Sequence, residues 1–176
     1  MKKTAALLTA FLLAACGGAA APEPRSYDLG LDAPAARLPP VRIGTERAIA
    51  PFDGTDMQYR LAYRNAAEVA AYANSRWAAA PAELFRKQLQ RAAAESGKCA
   101  LAVELQEFTQ VFTARDASEA RLELRATLSS GAARQFSVAE PNAGADAIGG
   151  AAALARASNR AVGEIATWVA AQPTCR

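Results

Sequence analysis

The sequence predicts a single α/β domain of the α+β kind, a mainly antiparallel sheet of about five to six strands packed by about three helices. Three observations carry this. Apolar and polar residues alternate over residues 41–45, 57–63, 101–112, 122–128 and 136–138, the period of half-buried strands. Apolar residues recur at helical spacing after Pro81 and again over residues 146–172. A chain of 176 residues with 52% apolar content can bury one sizeable core and is short for two.

The chain opens with Lys2 and Lys3, an apolar run over residues 5–15, and Leu13-Ala14-Ala15-Cys16, the order of a lipoprotein signal peptide occupying residues 1–15. The apolar run is well short of the roughly 20 residues a spanning helix needs. Acylation of Cys16 would supply the membrane anchor instead, several buried acyl chains holding more firmly than one. The competing reading is a plain secretory signal followed by a chance cysteine. An aspartate after the cysteine usually retains bacterial lipoproteins in the inner membrane, so Gly17-Gly18 points to the outer membrane by likeness to lipoproteins in general. Pro22, Pro24, Pro34, Pro39 and Pro40 make residues 16–40 a lipidated N-terminus and extended tether, with one short apolar-flanked piece at 27–31. The periplasmic domain is then residues 41–176.

Within that domain Val41, Ile43 and Thr45 mark a strand, and Pro51-Phe52-Asp53-Gly54 a turn in which Gly54 supplies conformational freedom. Met57, Tyr59, Leu61 and Tyr63 then line one side of a strand that Asn65 stops. Asn65 followed by Glu68 resembles a capping box, which predicts a helix with Val69, Tyr72, Ala73 and Trp77 on one stripe. Pro81 suits the first turn of a second helix, carrying Leu84, Phe85, Leu89 and Ala92 and closed by Glu95-Ser96-Gly97. The strand from Leu101 changes phase before Phe108, which predicts a bulge near Gln106. Residues 116–119 turn the chain into Leu122, Leu124, Ala126 and Leu128; Ser129-Ser130-Gly131 offers a hairpin turn into Phe136 and Val138, ended by Pro141-Asn142-Ala143-Gly144. Leu154, Ala161, Val162, Ile165, Trp168 and Val169 form the stripe of the closing helix, with Gly149 and Gly150 expected to fray its start and Pro173 to end it.

The formal charge of +3 falls to about +1 once the two signal lysines are removed, and no Lys/Arg block marks a nucleic-acid footprint. The chain has no histidine, the usual base of serine and cysteine hydrolases and the commonest zinc ligand. No Cys-x-x-Cys pair or Gly-rich phosphate loop occurs, so the sequence calls for no metal, no cofactor and no catalytic residue. The carboxylate pairs Glu104/Glu107 and Asp53/Asp56 fit acid–base work less well than a solvated charged face. With Cys16 acylated, Cys99 and Cys175 remain as an even pair in an oxidising compartment, where a disulfide is expected; two separate thiols are the alternative. A closing helix antiparallel to the strand after Cys99 would bring the two together. Tyr59, Tyr63, Tyr72 and Trp77 fit core packing better than a groove, while Arg60, Arg64 and Arg76 are the candidates for contact with a partner's acids or with lipid phosphate.

The lipobox ending at Cys16, then Tyr27-Asp28-Leu29, Pro51-Phe52-Asp53, Met57-Gln58-Tyr59-Arg60, and Arg76-Trp77-Ala78 leading into Pro81 and an amphipathic helix, follow one another in an order that resembles the ABC-type transport auxiliary lipoprotein family. Its members accompany MCE-domain lipid transport systems of Gram-negative bacteria. The likeness covers most of the mature chain and departs mainly in the alanine-rich second half. It implies a non-catalytic accessory, lipid-anchored to the outer membrane and facing the periplasm, that docks a periplasmic MCE protein of an ABC transport system, and it leaves room for a homo-oligomer. The alternative is a periplasmic lipoprotein that itself holds a lipid or other apolar ligand under the closing helix.

Overall fold

The computed structural model describes residues 23–93, 97–141 and 144–175; Cys16, its signal segment and Gly17 lie outside them. In chain order the described residues form β1 (Arg25–Tyr27), β2 (Arg42–Ala48), β3 (Asp56–Arg60), α1 (Ala62–Asn65), β4 (Ala70–Trp77), α2 (Pro81–Ala92), β5 (Ala100–Phe112), β6 (Ser118–Leu128), β7 (Ala133–Pro141) and α3 (Ala147–Ala170), followed by a 3₁₀ turn, Pro173–Cys175. Together they make one α+β domain. The strands form one seven-stranded sheet in the order β1-β4-β3-β5-β6-β7, with β2 paired to β5 outside that path.

The long strand β5 organises the sheet. One edge pairs antiparallel with β6 from Leu101–Leu128 to Phe112–Ser118, and β6 continues into β7 through the hairpin at Ser129-Ser130-Gly131. Gly131 sits at φ 92°, where a side chain would be strained. The other edge of β5 is divided: β2 runs parallel to its first half (Arg42 beside Ala100) and β3 parallel to its second half (Tyr59 beside Gln110). The sheet is therefore mixed. Hairpin turns advertise antiparallel neighbours in sequence, whereas a parallel neighbour arrives through a crossover and leaves no local signature. The expected bulge is present, the register of β5 slipping between Leu105 and Glu107.

Both long helices cover one face. From α2 come Leu84, Phe85 and Leu89, and from α3 Leu154, Ala157, Ala161, Val162 and Ile165, all buried against Leu101, Leu105, Phe108, Leu122, Leu124, Phe136 and Val138 of the sheet. Trp77 packs on Phe108 with ring centroids 5.3 Å apart and Phe136 on Trp168 at 5.9 Å. At the end of α3 the chain returns to the start of β5, and Cys99 and Cys175 are joined by a disulfide with Cα atoms 5.1 Å apart.

Several expectations are corrected. The strand predicted through Tyr63 ends at Arg60, its last residues lying in the short turn α1, and the stretch predicted as a helix from Asn65 to Trp77 is a turn followed by the strand β4. The Asn65 side chain accepts from the Ala67 N–H, turning the chain out of α1 rather than starting a helix. Tyr72 and Trp77 satisfy strand alternation once a register shift opposite Asp56–Gln58 is allowed, and a place between β1 and β3 outweighs the helix preference of the alanines. The tether boundary also moves. Arg25–Tyr27 pairs parallel with Ser75–Trp77, and Leu29, Leu38 and Val41 are core residues, so the chain joins the domain well before residue 41. The segment between is held by Arg91, whose guanidinium donates to the carbonyls of Gly30, Leu31 and Asp32, and by Asn159, which accepts from the Ala35 N–H and donates to the Ala33 carbonyl. Gly149 and Gly150 lie in a formed first turn, capped by the Asp146 side chain at the Gly149 N–H. Gly54 has no left-handed φ; Gly30 does, at 75°.

Candidate functional site

The helices leave the opposite face of the sheet without a helical layer of comparable size, and its side chains follow from strand alternation. Leu101, Val103 and Leu105 of β5 point into the core, so Ala102 and Glu104 point away; on β6, Leu122, Leu124 and Ala126 are buried, leaving Arg121, Glu123, Arg125 and Thr127 to this face. The bulge matters here. By adding one residue it places Gln106 and Glu107 on the same side as Glu104 and lines up four polar residues, Glu104, Gln106, Glu107 and Thr109, along the outer face of β5.

Two linked networks result. Arg47 of β2 pairs with Glu104, and the Gln106 amide donates to the same carboxylate at 3.0 Å while accepting from Gln135 of β7. The Gln106 hydrogen bond first, and then Arg47 and Arg125, hold the Glu104 carboxyl below the usual carboxylate range. Arg47 remains 77% exposed at its side chain, and Arg125, directly across from Glu104, is also exposed. Between them lies a hollow of about 320 Å³ floored by Ala102 and walled by Thr45 and Thr127. Farther along, Arg60 grips Glu107 with two bonds of 3.0 and 2.8 Å, donates to the Ala66 carbonyl, and so fastens the α1 segment over the second half of the face; Thr109 donates to the same carboxylate.

The structure separates the three arginines singled out in the sequence. Arg60 is largely covered and committed to Glu107. Arg64 is exposed in the last turn of α1, past the end of β3. Arg76 is exposed on β4 opposite Asp56, at the start of β3, roughly 13 Å along the strand from Arg60 by strand geometry. Sequence reasoning missed Arg47 and Arg125 as the accessible cations around the hollow, although the alternation of Arg121, Glu123, Arg125 and Thr127 already assigned one of them to the outer side. Glu104 and Glu107 each pair with an arginine.

On the helix side, the aromatics divide. Trp77 is fully buried in the core; Tyr59 and Tyr72 are half-buried, their tilted rings 4.7 Å apart, with Phe112 6.0 Å from Tyr59; Tyr63 is exposed. Tyr72 donates to the side-chain oxygen Oε1 of Gln110 at 2.7 Å, and the Gln110 side-chain amide donates to Ser118 Oγ at 2.9 Å. Burial, then the neighbouring Tyr59 and Asp146, raise the Tyr72 hydroxyl well above the ordinary tyrosine range. The space under α3 where an apolar ligand was the alternative is filled by Leu154, Ala157, Ala161, Val162 and Ile165, all with no solvent exposure.

Fold and face together define the class: a single α+β domain with a mixed sheet, helices packed on one side and a charged, bulge-organised surface on the other. Proteins of this shape are known. The chain is similar in structure to protein XCC0632 from Xanthomonas campestris, of family DUF330, with 22% identity over 82% of this chain and 94% of that one and a TM-score of 0.63. It is similar also to an uncharacterized protein at 15% identity, covering 84% of this chain and 99% of that one, with a TM-score of 0.64. No family model matches the sequence, and no curated protein matches it.

Proposed function

We propose that this protein is a non-catalytic component of an ABC-type/MCE intermembrane lipid transport system, anchored through acylated Cys16 to the outer membrane and docking the periplasmic MCE protein. The observation that carries the reading is the polar face of β2, β5 and β6. It is held in shape by Glu104–Gln106–Gln135 and Arg60–Glu107, and it presents Arg47 and Arg125 to solvent beside a hollow. A surface with fixed charges and a shaped depression suits a protein partner that brings acidic side chains, since such charges steer association and set register. Arg64 and Arg76 are also exposed, beyond the end of β3 and on β4. The order of motifs from Cys16 to Pro81 supplies the kind of partner.

Capture of a periplasmic MCE-domain protein from the same bacterium tests the proposal. Wild type should retain it, and Arg47→Glu with Arg125→Glu should weaken capture at least tenfold with an unchanged thermal melt, because exposed charges contribute little to stability. Failure of the wild-type protein to bind would reject docking altogether. Lipid recovered with the delipidated protein in stoichiometric amount would favour the carrier reading instead.

A further inference from the structure

Leu31 is 89% exposed, the highest exposure among the large apolar residues of the described chain, and Ile148 in the first turn of α3 is 54% exposed. Both border one groove of about 530 Å³ between the strap after β1 and α3, floored by Ala151, Ala152 and Ala155. The exposed leucine is held there by design of the loop. Gly30 adopts the left-handed φ of 75°, Asp28 accepts from its N–H at 2.8 Å, and Arg91 clamps three successive carbonyls around Leu31. A leucine left in water on a mobile loop would need no such fixing. Around it stand the cations Lys87, Arg91 and Arg156 and the carboxylates of Asp28 and Asp32, the first of these already engaged by Gly30.

The surface is also continuous with the point where the chain enters the fold, because Tyr27 and Ile148 border a second hollow that reaches Glu23 and Arg25. From Cys16 to Glu23 is at most about 25 Å of extended chain. We infer that the Leu31–Ile148 surface rests on the lipid bilayer, Leu31 and Ile148 entering the interface and the flanking Lys87 and Arg156 meeting lipid phosphates, Arg156 through the guanidinium nitrogens that it does not use on the Pro141 carbonyl. The inference rests on the lipid-anchor reading for its geometry, since acylation of Cys16 would hold this surface beside the membrane. It would also fix the domain's orientation, leaving a defined face toward the periplasm.

The test places an environment-sensitive nitrobenzoxadiazole label at Leu31→Cys, with Arg121→Cys on the opposite face as control, in full-length acylated protein reconstituted into phosphatidylethanolamine/phosphatidylglycerol vesicles. A parallel arm uses the mature chain with Cys16→Ser and an N-terminal hexahistidine held on nickel-chelating lipid. The label at 31, and not at 121, should shift to the blue, be quenched by nitroxide-bearing lipid and be shielded severalfold from aqueous iodide in both arms. Iodide access at 31 equal to that at 121 while the protein is vesicle-bound overturns the inference. So does shielding that arises without vesicles, which would assign the surface to a second copy, or only on adding the MCE protein. Loss of vesicle binding in the first arm with shielding retained in the second rejects acylation and supports the membrane surface.

Discussion

A few side chains determine how tightly the sheet and α3 fit. A Cβ added at Gly150 would lie 2.1 Å from Gln110 Oε1, and Gln110 is held in place by Tyr72 and Ser118. Gly150→Ala is therefore expected to cost about 1–3 kcal/mol in urea unfolding as an overpacked contact. Gly163 on the same helix meets only Ala35 Cβ at 3.7 Å, so Gly163→Ala should be stabilising by about 0.4–1 kcal/mol. Tyr72 contributes a pH dependence of known sign. Its hydroxyl keeps its proton longer when folded than when unfolded, because burial opposes the charged form. The contribution is whole below the ordinary tyrosine value of about 10 and is lost as pH rises from there toward the folded value. Stability measured between pH 8 and 11 should fall more steeply in wild type than in Tyr72→Phe, which at neutral pH should itself cost about 1–3 kcal/mol by leaving the buried Gln110 Oε1 without its donor.

At the scale of elements, β4 separates local preference from tertiary demand. Its alanines favour a helix, and its neighbours β1 and β3 require a strand. Ala73 is exposed on β4, so Ala73→Thr should be neutral or stabilising by up to about 1 kcal/mol, whereas in a helix it would be destabilising. Equilibrium unfolding reads the sign. Trp77 closes the same strand against Phe108, with its Nε1 lacking a partner among the described residues, so its contribution is packing; Trp77→Ala should cost about 3–5 kcal/mol. The bulge in β5 is the element-scale device of the outer face. Without the extra residue, Glu107 would turn to the opposite side from Glu104 and away from Arg60, and the polar row would break.

The whole molecule is closed by one covalent bond and opened by one bare face. The Cys99–Cys175 link spans 76 residues, enclosing β5, β6, β7 and α3, and a loop of that length stabilises by about 4 kcal/mol in the chain-entropy description. Cys99→Ala with Cys175→Ala should lower stability toward that amount, and reductant should then no longer shift the midpoint. Among the described residues no helix is long and apolar enough to cross a membrane. The membrane contact proposed at the Leu31–Ile148 end is a surface one, and the Arg47–Arg125 face is the one proposed for the partner. The two proposals use different residues and can fail separately.

Where a strand or helix period runs unbroken along the chain, the sequence determined the element; the short signals at Asn65–Glu68 and past Arg60 did not. The alternation of β5, β6 and β7, the Ser129-Ser130-Gly131 hairpin, the bulge at Gln106, Pro81 opening α2 and the stripe of α3 were all legible, because strand and helix periods are written along the chain itself. The even pair of cysteines likewise anticipated the disulfide. Other features depended on neighbours distant in sequence. The spacing of Tyr72 and Trp77 suits a helix and a bulged strand alike, and only the open position between β1 and β3 chose the strand. The proline-rich strap reads as a tether until Leu29 and Leu38 are seen to complete the core. Arg60 reads as a free cation until the bulge turns Glu107 toward it. Burial and pairing are properties of the folded surface as a whole, and a chain read one residue at a time carries no record of which distant side chain will arrive to satisfy a charge or cover an apolar group.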